Sequence, residues 1–78
     1  MRAIIRFSID GEANSALRNK LSAVMNTSGF QILPNTATYE NANITPSEHA
    51  VILNAFWDAA ANHQGSGKVD HFWMYTDR

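Results

Sequence analysis

Cysteine is absent from this 78-residue chain and proline occurs only twice. Without cysteine there is neither a disulfide framework nor a thiolate metal site, so the fold must rest on its apolar core, alone or helped by oligomerisation. The lack of thiols agrees with a cytoplasmic location, which is the expectation taken here. Long hydrophobic runs are missing too: nothing approaches the roughly 20 apolar residues that span a bilayer. Arg6 and Asp10 interrupt the N-terminal stretch before it could serve as a secretion signal, so no membrane association is expected. An excess of one charge is also lacking. Six Lys and Arg face seven Asp and Glu, for a formal net charge of -1. Arg2, Arg6, Arg18, Lys20, Lys68 and Arg78 are scattered, whereas a dedicated nucleic-acid binder carries a basic balance or stripe. Strong RNA binding by a monomer is therefore disfavoured, although a dimer would bring Arg2 and Arg6 together with their symmetry mates.

The composition is globular, with 45% hydrophobic and 17% charged residues. The length suits a single domain over 1–78, near the lower limit for one unaided core. In Arg2-Ala3-Ile4-Ile5-Arg6-Phe7-Ser8-Ile9-Asp10 every odd position is apolar and the even ones are mostly polar. Successive strand residues point to opposite faces, so this segment is a strand with one core face. Asn14 or Ser15 is positioned as the N-cap of a helix that aligns Leu17, Leu21, Val24 and Met25 on one side, and Ser28-Gly29 supplies its stop.

Phe30-Gln31-Ile32-Leu33 and Thr36-Ala37-Thr38-Tyr39-Glu40 form a hairpin around Pro34-Asn35, with one bent strand over 30–41 as the competing reading. Thr45-Pro46-Ser47-Glu48 is a capping box with proline at the first helical position. It opens a second helix running to about His63, with Ile52, Ala55, Phe56 and Ala59 on one face and Leu53, Trp57 and Ala60 beside them. Gln64-Gly65-Ser66-Gly67 is a flexible connector, and Val69 to Thr76 is a last strand rich in aromatic and β-branched residues.

Strand, helix, strand, strand, helix, strand with right-handed crossovers predicts an α+β, ferredoxin-like βαββαβ sandwich: a four-stranded antiparallel sheet with two helices on one face. The expected core is Ile5, Phe7, Ile9, Leu17, Leu21, Val24, Ile52, Phe56 and one face of the last strand. The other sheet face has no helix to cover it. It carries Ile4, Arg6 and the aromatic cluster Phe72, Trp73 and Tyr75, and must meet solvent, a second subunit or a ligand.

The strand Ile4 to Asp10, the helix around Leu17 to Met25 and the run Gly29-Phe30-Gln31-Ile32 together resemble the small Cas2-like and VapD-like ferredoxin-fold family. In that family a strand-terminal aspartate acts with its dimer counterpart around a divalent cation in phosphodiester cleavage. The resemblance implies a metal-dependent endoribonuclease in which Asp10 is the catalytic residue. The basic residues that surround that position in the family are sparse here, and Gly11-Glu12 stands where a cationic loop is expected.

Read from chemistry alone, Asp10 and Glu12 are candidate metal ligands for Mg²⁺, a hard cation that takes a few carboxylates plus water or phosphate. The competing role for Asp10 is to cap the turn through Gly11 or the helix that follows. His49, His63 and His71 are too dispersed for a zinc motif, and each reads as a surface or helix-end residue, with His71 alternating with Val69 and Trp73. No Ser-His-Asp set, phosphate loop or nucleotide fingerprint is present. Aromatics beside arginines on an open sheet can stack bases, but packing at a dimer contact is the simpler account. The expectation is a small homodimeric interaction protein using its open sheet face, for which the family resemblance implies a prokaryotic or phage defence or toxin-related setting. The alternatives are the endoribonuclease and a small regulatory ligand-binding domain.

Overall fold

A computed structural model describes residues 1–34 and 37–77. The elements follow in the order β1 (Arg2–Asp10), α1 (Ala16–Thr27), β2 (Gln31–Ile32), β3 (Thr38–Asn41), α2 (Pro46–Ala61) and β4 (Lys68–Asp77). The strands form one antiparallel sheet in the order β2-β3-β1-β4, backed by the two helices, which is the ferredoxin-like arrangement.

The alternation of β1 is realised as expected. Ala3, Ile5 and Phe7 are buried, Ile9 is half-buried against the same core, and Arg6, Ser8 and Asp10 are exposed. The region 30–41 is a hairpin and not a bent strand: Gln31 pairs with Glu40 and Ile32 with Tyr39, and Leu33 donates its backbone N–H to Thr38. Its strands are shorter than expected, and the part of the turn and second strand assigned to Asn35 and Thr36 lies outside the described residues.

Helix α2 starts as its sequence demands. Thr45 Oγ1 accepts from the Glu48 amide at 3.1 Å, Glu48 Oε1 accepts from the Thr45 amide at 2.9 Å, and Pro46 opens the helix. The helix ends at Ala61, so His63 lies beyond it. Helix α1 is capped differently from expectation. Ser15 occupies the N-cap position without a side-chain bond. Asn14 Oδ1 accepts from the Ala16 amide at 2.9 Å, and Glu12 Oε2 accepts from the Arg18 amide at 3.0 Å. The negative end that a helix N-terminus favours is thus Glu12 and not Asp10.

The core joins Ala3, Ile5 and Phe7 of β1 to Leu17, Leu21 and Met25 of α1 and to Ile52 and Phe56 of α2, with Phe30, Tyr39 and Ile44 closing it. Val24 and Ile9, expected inside, pack at its margin. Phe56 is its aromatic hub, edge-on to Phe7 at 5.1 Å and also in contact with Phe72 and Trp57. Tyr39 stacks on Phe7 and sets its hydroxyl against Ser22 of α1, so the one phenol in the core is satisfied. His49 corrects its surface assignment: it is only 7% exposed, and its Nε2 has no partner among the described residues. The connector before β4 is tethered. Ser66 Oγ accepts from the Ala13 amide at 2.8 Å, and Gly67, at φ +96, lies so close to Glu12 that a Cβ would come within 3.0 Å of its side chain.

Candidate functional site: the open face and the β4 edge

The face of the sheet opposite the helices is read off the strand register. Ile4 stands between Glu40 and Tyr75, Arg6 between Thr38 and Trp73, and Ser8 opposite His71. At one corner Arg2 pairs with Asp77 at 2.8 Å and lies 3.7 Å from Glu40. Residues directly opposite on one face are the contacting units of a sheet, so these form a continuous row of side chains.

Trp73 and Tyr75 dominate it. They are 53% and 45% exposed, and their rings lie parallel, 7° apart, with centroids separated by 6.3 Å. Neither ring is inserted into the protein, and Ile4 is half-buried beside them. Arg6 differs from Arg2 and Arg18, which hold carboxylates. Among the described residues Arg6 forms no ion pair and no side-chain hydrogen bond. It lines an open hollow of about 550 Å³ whose lining also includes Phe7, Ser8, His71, Phe72 and Trp73.

Phe72 does not belong to this face. It stands opposite Phe7, and its ring lies 5.1 Å from Phe56 and 5.0 Å from Trp57, on the helix side. The open-face group expected from the sequence is therefore Ile4, Arg6, Trp73 and Tyr75, with Phe72 anchoring β4 from behind. The cause is strand parity: Phe72 and Trp73 are consecutive in a regular stretch and point to opposite faces. A β-bulge shifts the parity on the other side of His71. Ser8 pairs with His71 but Ile9 with Val69, which leaves Asp70 as the extra residue. Val69 consequently packs toward the core while His71 points away from it, although the uninterrupted alternation expected from sequence put both on one face.

The bulge also brings Ser8, His71 and Asp70 together. Asp70 Oδ2 lies 2.8 Å and Ser8 Oγ 3.3 Å from the same atom, His71 Nδ1. A nucleophile–base–carboxylate relay needs the serine on one ring nitrogen and the carboxylate on the other. Both partners share Nδ1 here, so the set orients the imidazole and does not activate Ser8.

Asp10 and Glu12 separate. Asp10 ends β1 opposite Lys68, its carboxylate exposed and without a hydrogen bond or ion pair among the described residues. Glu12 turns the other way, 10% exposed, with Oε1 3.7 Å from Arg18 Nε as well as its bond to the Arg18 amide. No group of three or more His, Cys, Asp or Glu side chains suited to a metal ion occurs among the described residues. Of the other histidines, His63 places Nε2 3.2 Å from the Ser66 carbonyl oxygen, within the connector.

The feature that sequence reasoning passed over is the strand edge itself. β4 pairs with β1 alone, so its other side is a free edge among the described residues, and Met74 lies on it 46% exposed. The run His71 to Thr76, with no proline and no Lys, Arg, Asp or Glu, is the signal that could have marked it. No described helix is long and apolar enough to cross a membrane. No family model matches the chain, and no curated protein and no solved structure matches it either.

Proposed function

We propose that the protein is a small interaction module that works as a homodimer through the aromatic side of its open sheet. The observation that carries this reading is the exposed, parallel pair Trp73 and Tyr75 beside Ile4, on a face no helix covers. Aromatic rings are the commonest anchors of protein contacts, and a chain this small without disulfides gains stability by association. A specific interface covers about 800 Å² per partner, roughly one-sixth of the 5013 Å² surface here.

Arg6 directs where that contact runs. Stacking two open faces squarely would bury a guanidinium that has no partner among the described residues, at a cost of several kcal/mol. A contact centred toward β4 keeps Trp73 and Tyr75 inside it and leaves Arg6 at the rim. Sedimentation equilibrium tests the reading. Wild type should show a concentration-dependent monomer–dimer equilibrium in the micromolar range, and Trp73→Ser/Tyr75→Ser should remain folded and monomeric. A wild-type monomer of 8.7 kDa up to millimolar concentration contradicts it.

Two further readings have a specific support each. Arg6, with no ion pair among the described residues and set between Ser8, His71 and Trp73, supports a face that binds an anionic ligand. The resemblance to Cas2-like and VapD-like proteins supports a defence or toxin-related setting and an Mg²⁺-dependent endoribonuclease. Toward that activity, the Asp10 carboxylate has no hydrogen bond or ion pair among the described residues, while Glu12 is occupied by Arg18. Metal-dependent RNA cleavage by wild type that is lost in Asp10→Asn would put the enzyme reading first.

A further inference from the structure

We infer that two copies join edge to edge along β4, antiparallel, with the two-fold axis at Met74, so that the two sheets become one. The inference rests on the homodimer reading and names its seam. It starts from the bulge at Asp70, which ends the regular part of the strand; from His71 to Asp77 the side chains alternate strictly between the two faces. In an antiparallel pair, residues directly opposite share a face. A two-fold axis must therefore pass through a residue and not between two, which leaves few registers to compare.

Centred on Met74, the seven-residue segment is complementary to itself. His71 falls opposite the partner's Asp77, Phe72 opposite the partner's Thr76, Trp73 opposite the partner's Tyr75, and Met74 opposite the partner's Met74. Each arm joins an imidazole to a carboxylate and one aromatic ring to another, the kinds of cross-strand pair that stabilise sheets. Both polar groups retain an atom for the contact: His71 Nε2 and Asp77 Oδ1 are not used by the Asp70 and Arg2 pairings. A two-fold at Trp73 sets Asp70 opposite Thr76 and loses the imidazole–carboxylate pairing. One at Tyr75 sets Trp73 against the Asp77 carboxylate. The self-complementarity selects a second copy as the occupant of this edge, because an unrelated strand has no reason to match it. The seam spans about 24 Å at ~3.4 Å per residue. It leaves Arg6 of each copy exposed on a shared open face, and so avoids the buried charge of a face-to-face dimer.

The absence of native cysteine makes the register directly testable. At a two-fold residue the Cα atoms lie about 4.5 or 5.5 Å apart, depending on whether the opposed pair is hydrogen-bonded, and both separations suit a disulfide. Met74→Cys should therefore cross-link to a covalent dimer under mild oxidation. Trp73→Cys and Tyr75→Cys would each sit two residues out of register with their mates, more than about 7 Å away, and should cross-link at least tenfold more slowly. In parallel, Met74→Lys should sediment as a monomer where Met74→Leu remains a dimer. If wild type is dimeric but Trp73→Cys or Ser8→Cys cross-links in preference to Met74→Cys, the seam is overturned while the homodimer stands. If wild type is monomeric throughout, the homodimer reading itself fails.

Discussion

The sheet has two outer strands, and they are built on opposite plans. β2 is two residues long, is followed at once by Leu33 and Pro34, and exposes Gln31 and Ile32. Short length and a nearby proline are ways in which proteins keep a sheet edge from recruiting another strand. β4 is ten residues long. Its charged residues, Lys68, Asp70 and Asp77, stand at its ends, and its middle is aromatic and unprotected. It is also the better supported from behind, since Phe72 seats on Phe56 and Trp57 of α2. A long, rigid, apolar edge in a small domain is a liability unless it is used. The blunted β2 edge shows that this fold can protect an edge, so the exposure of β4 is the informative difference.

The largest effect expected from breaking that difference lies beneath β4. Phe56→Ala should cost about 3–5 kcal/mol in urea unfolding, because a fully buried ring that holds Phe7, Phe72 and Trp57 is removed. It should weaken association in step, as β4 loses its backing. At the edge itself, Met74→Lys should weaken dimerisation by more than about 1.4 kcal/mol, a factor of ten in Kd, because like charges would stand opposite at the seam. The unfolding of the monomer should change little, since Met74 is half-exposed.

A smaller loss is expected from the start of α2, the helix under β4. Thr45→Ala should cost about 1 kcal/mol, read as a lowered denaturation midpoint. The same cap carries a pH signature. The hydrogen bonds with Thr45, backbone first and then side chain, hold the Glu48 carboxyl below its ordinary value of 4.5. A depressed folded-state pKa means that the contribution is present above the unfolded value and is lost as pH falls through the folded one. The stability gap between wild type and Glu48→Gln should therefore be constant above about pH 4.5 and close below it. The smallest effect belongs to the other edge: Ile32→Lys should stay within about ±0.5 kcal/mol of wild type in stability and leave association unchanged, because Ile32 is 55% exposed on a strand too short to recruit a partner.

What the sequence made legible were the features with local causes. The alternation of Ala3 to Ile9 declared the buried face of β1, and Thr45-Pro46-Ser47-Glu48 declared the start of α2, because caps and periodicities are settled by neighbours along the chain. The order of elements then sufficed for the ferredoxin-like topology. What stayed hidden depends on partners distant in sequence. The bulge at Asp70 arises from pairing with β1 and reverses the parity of the strand on one side of it, so it misplaced Val69 relative to His71. The burial of Tyr39 beside Ser22, and of His49 within α2, follows from helix packing that no short window reports. Asp10 and Glu12 are two residues apart, yet turn to different tasks because Arg18 and the free amides of α1 draw Glu12 away. Of the open-face residues expected from sequence, Ile4, Arg6, Trp73 and Tyr75 do share one surface.

Concentration-dependent amide hydrogen exchange tests the contrast between the two edges most directly. Every second backbone N–H of β4 points away from β1, and these amides should exchange rapidly in dilute protein. If β4 is the seam, their protection between His71 and Asp77 should rise at least tenfold from about 10 μM to 1 mM, while the amides of Gln31 and Ile32 do not change. Equal behaviour of the two edges, or protection of β4 that is independent of concentration, would contradict the account.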